Sequence, residues 1–585
     1  MAKYEIKDGV GIIPEGTIKI EENAFEDCVE ITSAIIPNSV REIGKYAFNG
    51  CTGLKSIFIP NSVTVFRFGA FNGCTGLTSI VIPDSVTEIG WEAFNGCTGL
   101  TSIVIPNSVT KIGTSAFYGC TGLTSIVIPN SVTEIGVNAF NGCKNLTNIV
   151  IPDSVTKVSS STFKGCSLTS IKVSEENKKY DSRDNCNAII DTEANKLVVG
   201  CATTVIPDSV TEIGGDAFNG RKSLTSIVIP DSVTKIGMDA FNGCTDLKSI
   251  VIPDLVTKIG SCAFTGCSSL TRIIVSEGNK TYDSRNNCNA IIETETNKLI
   301  AGCANTIIPD SVTEIGNNAF VNLVSLTSIV IPKSVTKIGR GSFEGCMGLT
   351  SIEVSEGNKT YDSRDNCNAI IETETKTIET EANNLIIGCA ATVIPNSVTK
   401  IGKDAFIGCT GLKSIVIPDS VTKIGDGAFA RCTGLTSIVI PDSVTEIGRD
   451  AFAGCTGLTS VVISNSVTKI SEFAFQDCTS LTSIVIPDSV TEIEEGAFKG
   501  CTGLTSIVIP KSVKMSIEIF SNCTALETLT LGTGIKKIDA SNFEGVNLKV
   551  INVPAKKADF YKQRLPESLR SLIVELPAEK KAKKK

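Results

Sequence analysis

Apolar and polar residues recur along this chain with a period of 23 residues. The clearest marker of the period is a phenylalanine that returns in 19 copies, arranged in regular runs that are separated by longer gaps. Copying of this kind predicts a solenoid, in which each unit is one supersecondary element stacked on its neighbours. The marker residues are Phe25, Phe48, Phe71, Phe94, Phe117, Phe140, Phe163, Phe218, Phe241, Phe264, Phe320, Phe343, Phe406, Phe429, Phe452, Phe475, Phe498, Phe520 and Phe543.

A single unit shows the mechanics of the repeat. Within residues 100–105 the first, fourth and sixth side chains are apolar and are predicted to face the core, while Thr101, Ser102 and Val104 face out, which is typical of a leucine-rich-repeat strand. A proline turn, a second short strand over residues 109–112, a glycine bend and the Ala116-Phe117 pair complete the coil. One unit cannot bury its own apolar face. We therefore predict a β-rich solenoid, a right-handed coil of about 19 recognisable leucine-rich-repeat units.

Three inserts interrupt the period, at about residues 174–205, 276–307 and 355–394. They are copies of one another, since the segment that begins at Tyr180 recurs at Tyr282 and Tyr361. Each is predicted to add two strands joined by a polar turn, as an extra coil and not as a separate domain. The third insert has additional residues over 375–380, so its turn should be longer.

The remaining segments close the two ends of the array. Residues 1–20 are predicted to form an N-terminal cap and residues 21–549 a single solenoid, because exposed strand edges at the ends of a repeat stack need covering. Residues 550–575 are predicted to form the C-terminal cap, with a short helix around residues 558–562 and a last strand at residues 571–574. Residues 576–585 are interpreted as a solvated basic tail.

Charge and hydropathy exclude several classes of protein. The net charge of -8 argues against a nucleic-acid-binding protein, which needs a basic face to neutralise phosphates. No run of about 18 apolar residues predicts a membrane span, and the first residues lack the basic-then-apolar pattern of a signal peptide. By sequence alone these features favour a cytoplasmic location.

Catalytic residues and cofactor motifs are scarce. The chain has no histidine, which removes the commonest general base, the Ser-His and Cys-His nucleophile pairs and most catalytic zinc sites. It also lacks a phosphate-binding Gly-Lys-Ser/Thr loop. The acidic residues recur at fixed repeat positions, as in the alternation of Glu88, Lys111 and Glu134, which predicts a solvated ladder of opposite charges. We expect no enzymatic activity and no cofactor.

The 23 cysteines allow two interpretations. Sixteen of them recur with the repeat, which favours small buried hydrophobes, and no C-x-x-C cluster indicates a metal site. A disulfide across each insert is the alternative if the protein reaches an oxidising space. The three candidate pairs are Cys186 with Cys201, Cys288 with Cys303, and Cys367 with Cys389.

A group of polar residues in the first insert also has two interpretations. Asp181, Asp184, Asn185 and Asn187 could ligate calcium, but their spacing is not that of an EF-hand loop. A polar turn is the favoured interpretation.

Two sets of residues are candidates for protein binding. The first is aromatic and lies where otherwise identical units differ; its alternative role is local packing over the neighbouring turns. The second is the flat, uncharged Thr-Ser-x-Val ladder, whose repetition suits an extended or multivalent partner. The aromatic candidates are Tyr46, Phe68, Trp91 and Tyr118, and the ladder candidates are Thr78, Ser79, Val81, Thr101, Ser102 and Val104.

The repeated phrase LTSIVIPDSVTEIG, followed by AF and GCTG, resembles the BspA-like leucine-rich-repeat family of bacterial surface antigens over nearly the whole chain. The inserts, with YDSRDNCNAII and later LIIGCA, and the C-terminal segment 553–561 share this resemblance. The resemblance implies display on the cell surface and adhesion to host matrix proteins or to other microbes. Two hypotheses follow: an adhesion protein that engages other proteins through its extended repeat surface, and an intracellular scaffold or protein-interaction module.

Overall fold

The computed structural model describes residues 3–373 and 383–577. The additional residues of the third insert and the tail from residue 578 lie outside the described residues, so the longer turn and the solvated tail stay predictions. The chain divides into two compact units, Met1–Glu295 and Thr296–Lys585. Each unit is a stack of β-coils. That residues 21–549 form a single solenoid stays a prediction.

Each regular coil contributes residues to two parallel ladders. One ladder contains segments of the type Ser-Ile-Val-Ile, here named Ser-Ile strands, and the other contains pairs such as Glu-Ile or Lys-Ile, here named dipeptide strands. The dipeptide strands are shorter than the four residues predicted over 109–112, because only Lys111–Ile112 pairs with neighbouring coils. Both ladders run parallel from coil to coil. The prediction of a β-rich leucine-rich-repeat solenoid is confirmed.

Among its described residues, the first unit contains nine dipeptide strands, five Ser-Ile strands and the strands of its N-terminal segment and inserts. The dipeptide strands are Lys19–Ile20, Glu42–Ile43, Val65–Phe66, Glu88–Ile89, Lys111–Ile112, Glu134–Ile135, Glu212–Ile213, Lys235–Ile236 and Lys258–Ile259. The Ser-Ile strands are Ser33–Ile35, Asn148–Ile151, Ser170–Val173, Ser249–Ile252 and Arg272–Val275. The other strands are Glu5–Lys7, Val10–Ile12, Tyr180–Asp181, Ala188–Asp191, Lys196–Gly200, Tyr282–Asp283 and Ala290–Glu293.

The second unit repeats the same two series. Its dipeptide strands are Glu314–Ile315, Lys337–Ile338, Lys400–Ile401, Lys423–Ile424, Glu446–Ile447, Lys469–Ile470, Glu492–Ile493 and Lys514–Met515. Its Ser-Ile strands are Ser328–Ile331, Ser351–Val354, Ser437–Val439, Ser460–Val462, Ser483–Val485, Ser506–Ile509, Thr528–Leu531, Val550–Val553 and Ile573–Glu575. The remaining strands belong to inserts: Lys298–Gly302, Tyr361–Asp362, Ala369–Glu372 and Asn384–Gly388.

The recurrent phenylalanines form the centre of the core. The rings of Phe71, Phe94 and Phe117 are fully buried and stacked, with centroids 5.5 and 5.4 Å apart and planes within 7° of parallel. Coil spacing imposes this distance, because equivalent residues of adjacent parallel strands lie about 4.8 Å apart. Each ring is therefore covered by the copies above and below it, which explains why the residue is repeated.

The lattice cysteines are buried beside this column and also donate hydrogen bonds. The thiol of Cys97 donates to the carbonyl of Phe71 in the preceding coil at 3.1 Å, and Cys120 does the same to Phe94. Burial raises the pKa of the Cys120 thiol to about 12. All 23 cysteines belong to the described residues and are free thiols, so the three disulfides considered for the inserts are not formed in this structure.

Each insert adds three strands and not the two predicted. In the first insert, Tyr180–Asp181 pairs antiparallel with Ala188–Asp191, which pairs antiparallel with Lys196–Gly200. The last of these strands then joins the parallel dipeptide ladder at Glu212. The hairpin of the second and third strands matches the prediction. The short Tyr-Asp strand was missed because two residues carry no alternating pattern.

The first and last described segments have different structures. Glu5–Lys7 and Val10–Ile12 form an antiparallel hairpin whose second strand pairs with Ser33–Ile35. At the other end the short helix occupies Ala558–Lys562, as predicted. The last strand is Ile573–Glu575 and not residues 571–574, because a 3-10 helix that follows Pro566 includes the first two of those residues.

Helices are few and short. Within residues 3–373 and 383–577, none has the length and apolar composition needed to cross a membrane. The 3-10 helices are Ser160–Phe163, Arg183–Asn185, Arg285–Asn287, Arg364–Asn366, Ala540–Phe543 and Glu567–Leu572.

Candidate protein-binding surface

A column of exposed apolar side chains follows the outward side of the Ser-Ile segments in the first unit. Ile103 and Ile105 are buried, whereas Val104 between them is 75% exposed. The equivalent residues of the adjacent coils, Val81 and Val127, are 73% and 79% exposed. We name this column the valine stripe, and it consists of Ile35, Phe58, Val81, Val104, Val127 and Val150.

At the centre of the stripe, successive members are direct neighbours between coils. Val81 forms a parallel bridge with Val104, and Val104 forms one with Val127. Parallel bridging places these side chains one strand spacing apart, about 4.8 Å. Their methyl groups therefore form one apolar strip of the kind that marks interaction sites on soluble proteins.

The threonines and serines beside the stripe are exposed and uncharged, as the ladder prediction requires. Thr78, Ser79, Thr101 and Ser102 all face solvent. The hydroxyl of Thr101 donates to the carbonyl of Thr78 at 3.5 Å, and the same contact recurs between later coils. These hydroxyls are thus held by the ladder, and no charged residue occurs in segments 78–81, 101–104, 124–127 and 147–150. The outward orientation is observed, and the binding role stays a prediction.

Two of the four aromatic candidates pack against each other and not towards solvent. The rings of Tyr46 and Phe68 are half-buried and meet edge to face, with centroids 5.1 Å apart and planes at 88°. The ammonium of Lys45 lies 5.4 Å from the Tyr46 centroid and 5.9 Å from the Phe68 centroid. A Cβ added to Gly69 would lie 2.4 Å from the Tyr46 ring, so the ring covers the next coil. Local packing is the interpretation that this geometry favours.

The other two aromatic candidates are exposed but separate. Trp91 is 54% exposed and continues the column of Phe68, whereas Tyr118 is 43% exposed and stands in the column of Asn95, directly after the core phenylalanine. Among the described residues no ring contact joins either of them to another aromatic side chain. The four residues therefore do not form one aromatic cluster. Trp91 and Tyr118 are exposed, and their binding role stays a prediction.

Four residues of the valine stripe are absent from the sequence candidates, although they follow the same period. Val81 and Val104 are candidates, and Ile35, Phe58, Val127 and Val150 occupy the same position of the repeat. The signal was present in the sequence as a branched or aromatic residue between two core isoleucines. An equivalent exposed series occurs in the second unit: Val330, Val393, Val416, Val439, Val462, Val485 and Val508.

Charged side chains are concentrated along the dipeptide ladder, as predicted. The carboxylate of Glu134 lies 2.7 Å from the Lys157 ammonium and 3.7 Å from that of Lys111, and the hydrogen bond from Lys157 is the main cause that lowers its pKa. The Arg67 hydrogen bond, together with Lys19, lowers the pKa of Glu42 to about 2. Such exposed pairs contribute roughly 0–1 kcal/mol each. They mark a solvated ladder and not a catalytic site.

The polar residues of the first insert form a turn. The Asp181 carboxylate is held by Arg183 at 2.8 Å, and Asp184, Asn185 and Asn187 adopt left-handed backbone conformations. Within the described ranges no three cysteine, aspartate or glutamate side chains are grouped so that they could hold a metal ion. The geometry favours the polar turn over the calcium loop.

The stacked parallel coils and the repeated outward surface define a leucine-rich-repeat protein, a class whose members are generally protein-interaction modules and typically not enzymes. The model of the BspA-type leucine-rich-repeat region matches six times, over residues 11–90, 67–190, 189–298, 300–389, 376–469 and 445–565. The chain belongs to the BspA-type leucine-rich-repeat family. A comparison of the sequence with curated proteins gave no match.

Solved structures of bacterial leucine-rich-repeat proteins are similar to the chain. A leucine-rich cell surface protein from Faecalibacterium prausnitzii A2-165 is 29% identical, with a TM-score of 0.35, over 68% of this chain and 90% of that one. A leucine-rich-repeat protein from Eubacterium ventriosum is 25% identical, with a TM-score of 0.42, over 61% and 92%. The pneumococcal vaccine antigen PcpA is 17% identical, with a TM-score of 0.35, over 77% and 85%.

Proposed function

We propose that this protein is a non-enzymatic adhesion protein that binds an extended segment of a partner protein, such as a host extracellular-matrix protein, through the valine stripe of its first unit. The observation that carries the proposal is the exposure of Val81, Val104 and Val127 in adjacent coils. On the outward side of a solvated strand, threonine would satisfy the same strand preference. The repeated choice of an apolar branched residue in successive coils therefore supports contact with a partner.

The chemistry of the stripe favours a neutral, extended segment. A partner strand that follows the axis of the coils would meet a valine about every 4.8 Å, with hydroxyl groups on the adjoining ladder. Covering one exposed valine contributes roughly 1.5 kcal/mol at most, so a single contact is weak. Several contacts made together raise the affinity without any additional charged group.

A triple substitution tests the stripe. Val81→Thr, Val104→Thr and Val127→Thr keep the branched shape and the strand preference while exchanging a methyl for a hydroxyl in each coil. At about 0.8 kcal/mol for each buried methyl, the three changes should weaken binding to a captured matrix protein roughly 50-fold. Binding is measured by surface plasmon resonance against a panel of immobilised host matrix proteins.

Matched controls separate the stripe from other exposed residues. Val29 and Val137 are also exposed valines of the first unit but lie outside the stripe. Val29→Thr with Val137→Thr should leave the affinity unchanged. Equal loss in the control and the stripe variant would show that valine exposure in general, and not this surface, determines binding. If Trp91→Ala alone abolishes binding, the contact lies on the turn side of the coil and the stripe proposal fails.

Adhesion further requires that the repeats are reachable from outside the cell. Protease treatment of intact source cells should release peptides from the repeat region. Release only after lysis would contradict adhesion and would support the intracellular scaffold, while leaving the stripe as its binding surface.

A further inference from the structure

A half-open cavity of about 320 Å³ lies in the second unit, where the third insert joins the regular coils. Its apolar wall includes Phe343, Ile386 and Ile387, and the polar side chains of Glu372 and Asn384 also line it. Sites for small molecules span roughly 300–1,000 Å³ and combine an apolar wall with a few placed polar groups. The cavity thus has the size and the composition of a site for a small ligand.

The corresponding junction of the first insert is filled. There Arg221 occupies the position of the lattice cysteine, and its guanidinium donates to the carbonyls of Gly200 and Phe163 at 2.8 and 2.9 Å. In the third insert the same position holds Cys409, whose shorter side chain donates to the Gly388 carbonyl at 3.7 Å. The change from a long side chain to a short one leaves the space open.

The first insert also neutralises its acidic group. The Asp191 carboxylate lies 3.0 Å from the ammonium of Lys179. On the last strand of that insert, Lys196 pairs with Glu212 at 2.9 Å. Two lysines thus supply positive charge on both sides of this junction.

The third insert retains the acidic group but has lost both lysines. Glu372 replaces Asp191, Thr360 stands at the position of Lys179, and Asn384 stands at that of Lys196. The amide nitrogen of Asn384 donates to Glu372 at 3.3 Å, and among the described residues Glu372 makes no salt bridge. The Asn384 side chain is 9% exposed and its oxygen is buried, so the Glu372 carboxylate is the acceptor of this pair that a ligand in the cavity can reach.

The rim of the cavity carries both signs of charge. Asp404 faces it with a carboxyl whose pKa is raised by burial, and the exposed guanidinium of Arg340 lies 4.0 Å from that carboxyl. Lys403 is exposed at the same rim. The rim charges can therefore balance each other, whereas among the described residues Glu372 has no ion-pair partner.

We propose that this cavity binds a small organic amine. The protonated amino group donates to the Glu372 carboxylate, and the apolar body of the amine packs against Phe343, Ile386 and Ile387. A charged donor suits this carboxylate because a hydrogen bond between ionised groups is about twice as strong as a neutral one.

The first test compares two probes on the full-length protein. Isothermal titration calorimetry should detect binding of 2-phenylethylamine near neutral pH, and 2-phenylethanol, which has the same apolar body without the charge, should bind at least about tenfold more weakly. Equal affinity of the two probes, or no heat from the amine at millimolar concentration, would overturn the proposal.

The second test places the amine in the cavity. Cys409→Leu introduces the residue that the chain itself has at Leu323, the equivalent position after the second insert, and should abolish binding by filling the space. Glu372→Gln should weaken binding about tenfold or more while removing only the charge. Thermal melting checks that both variants fold. If the amine binds Cys409→Leu as tightly as it binds the wild type, it binds elsewhere, and the proposed site is wrong.

A third measurement needs no variant. Cys409 lines the cavity and is half-buried, and Cys262 in the first unit is half-buried as well. Bound 2-phenylethylamine should slow alkylation of Cys409 and leave that of Cys262 unchanged. Equal rates at Cys409 with and without the amine would contradict occupation of this cavity.

Discussion

Arg221→Ala removes a buried cation from the place where the first insert rejoins the regular coils. The side chain is 2% exposed, and its guanidinium donates to the carbonyls of Gly200, Phe163 and Cys166 at 2.8, 2.9 and 2.8 Å. Burial lowers the pKa of this guanidinium, and within the described residues it makes no salt bridge. The three carbonyls therefore supply its stabilisation, and they depend on it in return.

The expected cost follows from these contacts. Leaving a buried acceptor without a donor costs about 1–3 kcal/mol, and three carbonyls are affected. Removing the charge also relieves its desolvation penalty, which amounts to several kcal/mol and opposes the loss. We expect a net destabilisation of about 3 kcal/mol, similar to the breaking of other buried charged contacts.

Hydrogen exchange followed by mass spectrometry measures this loss where it occurs. Because each coil of a solenoid contacts only its neighbours, peptides around Gly200 and Phe163 should exchange faster while peptides around Phe48 should not change. Lys222, the exposed residue next to Arg221, provides the control. Lys222→Ala should show the same hydrogen exchange as the wild type. A change at the junction below about 0.5 kcal/mol, the scale of an ordinary surface substitution, would refute the reasoning.

Two further predictions concern ionisable groups. Glu42→Gln should reduce the acid sensitivity of the first unit. Arg67, with Lys19, holds the pKa of Glu42 at about 2, below its ordinary 4.5, so its stabilisation is present above the ordinary value and is lost as the pH falls towards 2. Because the cations are exposed, we expect less than about 1 kcal/mol, and parallel acid-unfolding curves by circular dichroism would contradict the assignment. In thiol titration of the folded protein at about pH 8, the half-buried Cys262 should react before the buried cysteines, whereas Cys409 should react slowly because burial raises the pKa of its thiol to about 12. Titration of denatured, unreduced protein should count all 23 thiols, and a lower count would indicate a disulfide.

Much of the fold could be predicted because one pattern is repeated. The period placed Phe94 and Leu100 in the core, and the same period placed Val104 outside, all as the structure has them. The short helix Ala558–Lys562 was also predicted. The Tyr180–Asp181 strand was missed because it depends on pairing with a distant segment and not on local periodicity.

The candidate surfaces were predicted less completely. Tyr46 and Trp91 were assigned to one aromatic group, but the Tyr46 ring lies over Gly69 of the next coil while Trp91 remains exposed. Whether an aromatic ring packs down or stays exposed depends on the size of the residue that the neighbouring coil places beside it. The position of the aromatic residue in the repeat does not reveal that contact. The amine cavity was not predicted for a related reason, since it arises from the exchange of Arg221 for Cys409 at junctions that only the folded coils define.

The repeating coil, its core positions and its outward valines follow from the sequence alone, because stacking identical units requires the same residue types at every turn. Contacts in the folded coils set which outward side chains form a continuous surface and where the stack is imperfect. Those properties depend on contacts between coils that are 23 or more residues apart in the chain. At an insert, moreover, they depend on whether the one side chain facing the junction is long enough to fill it.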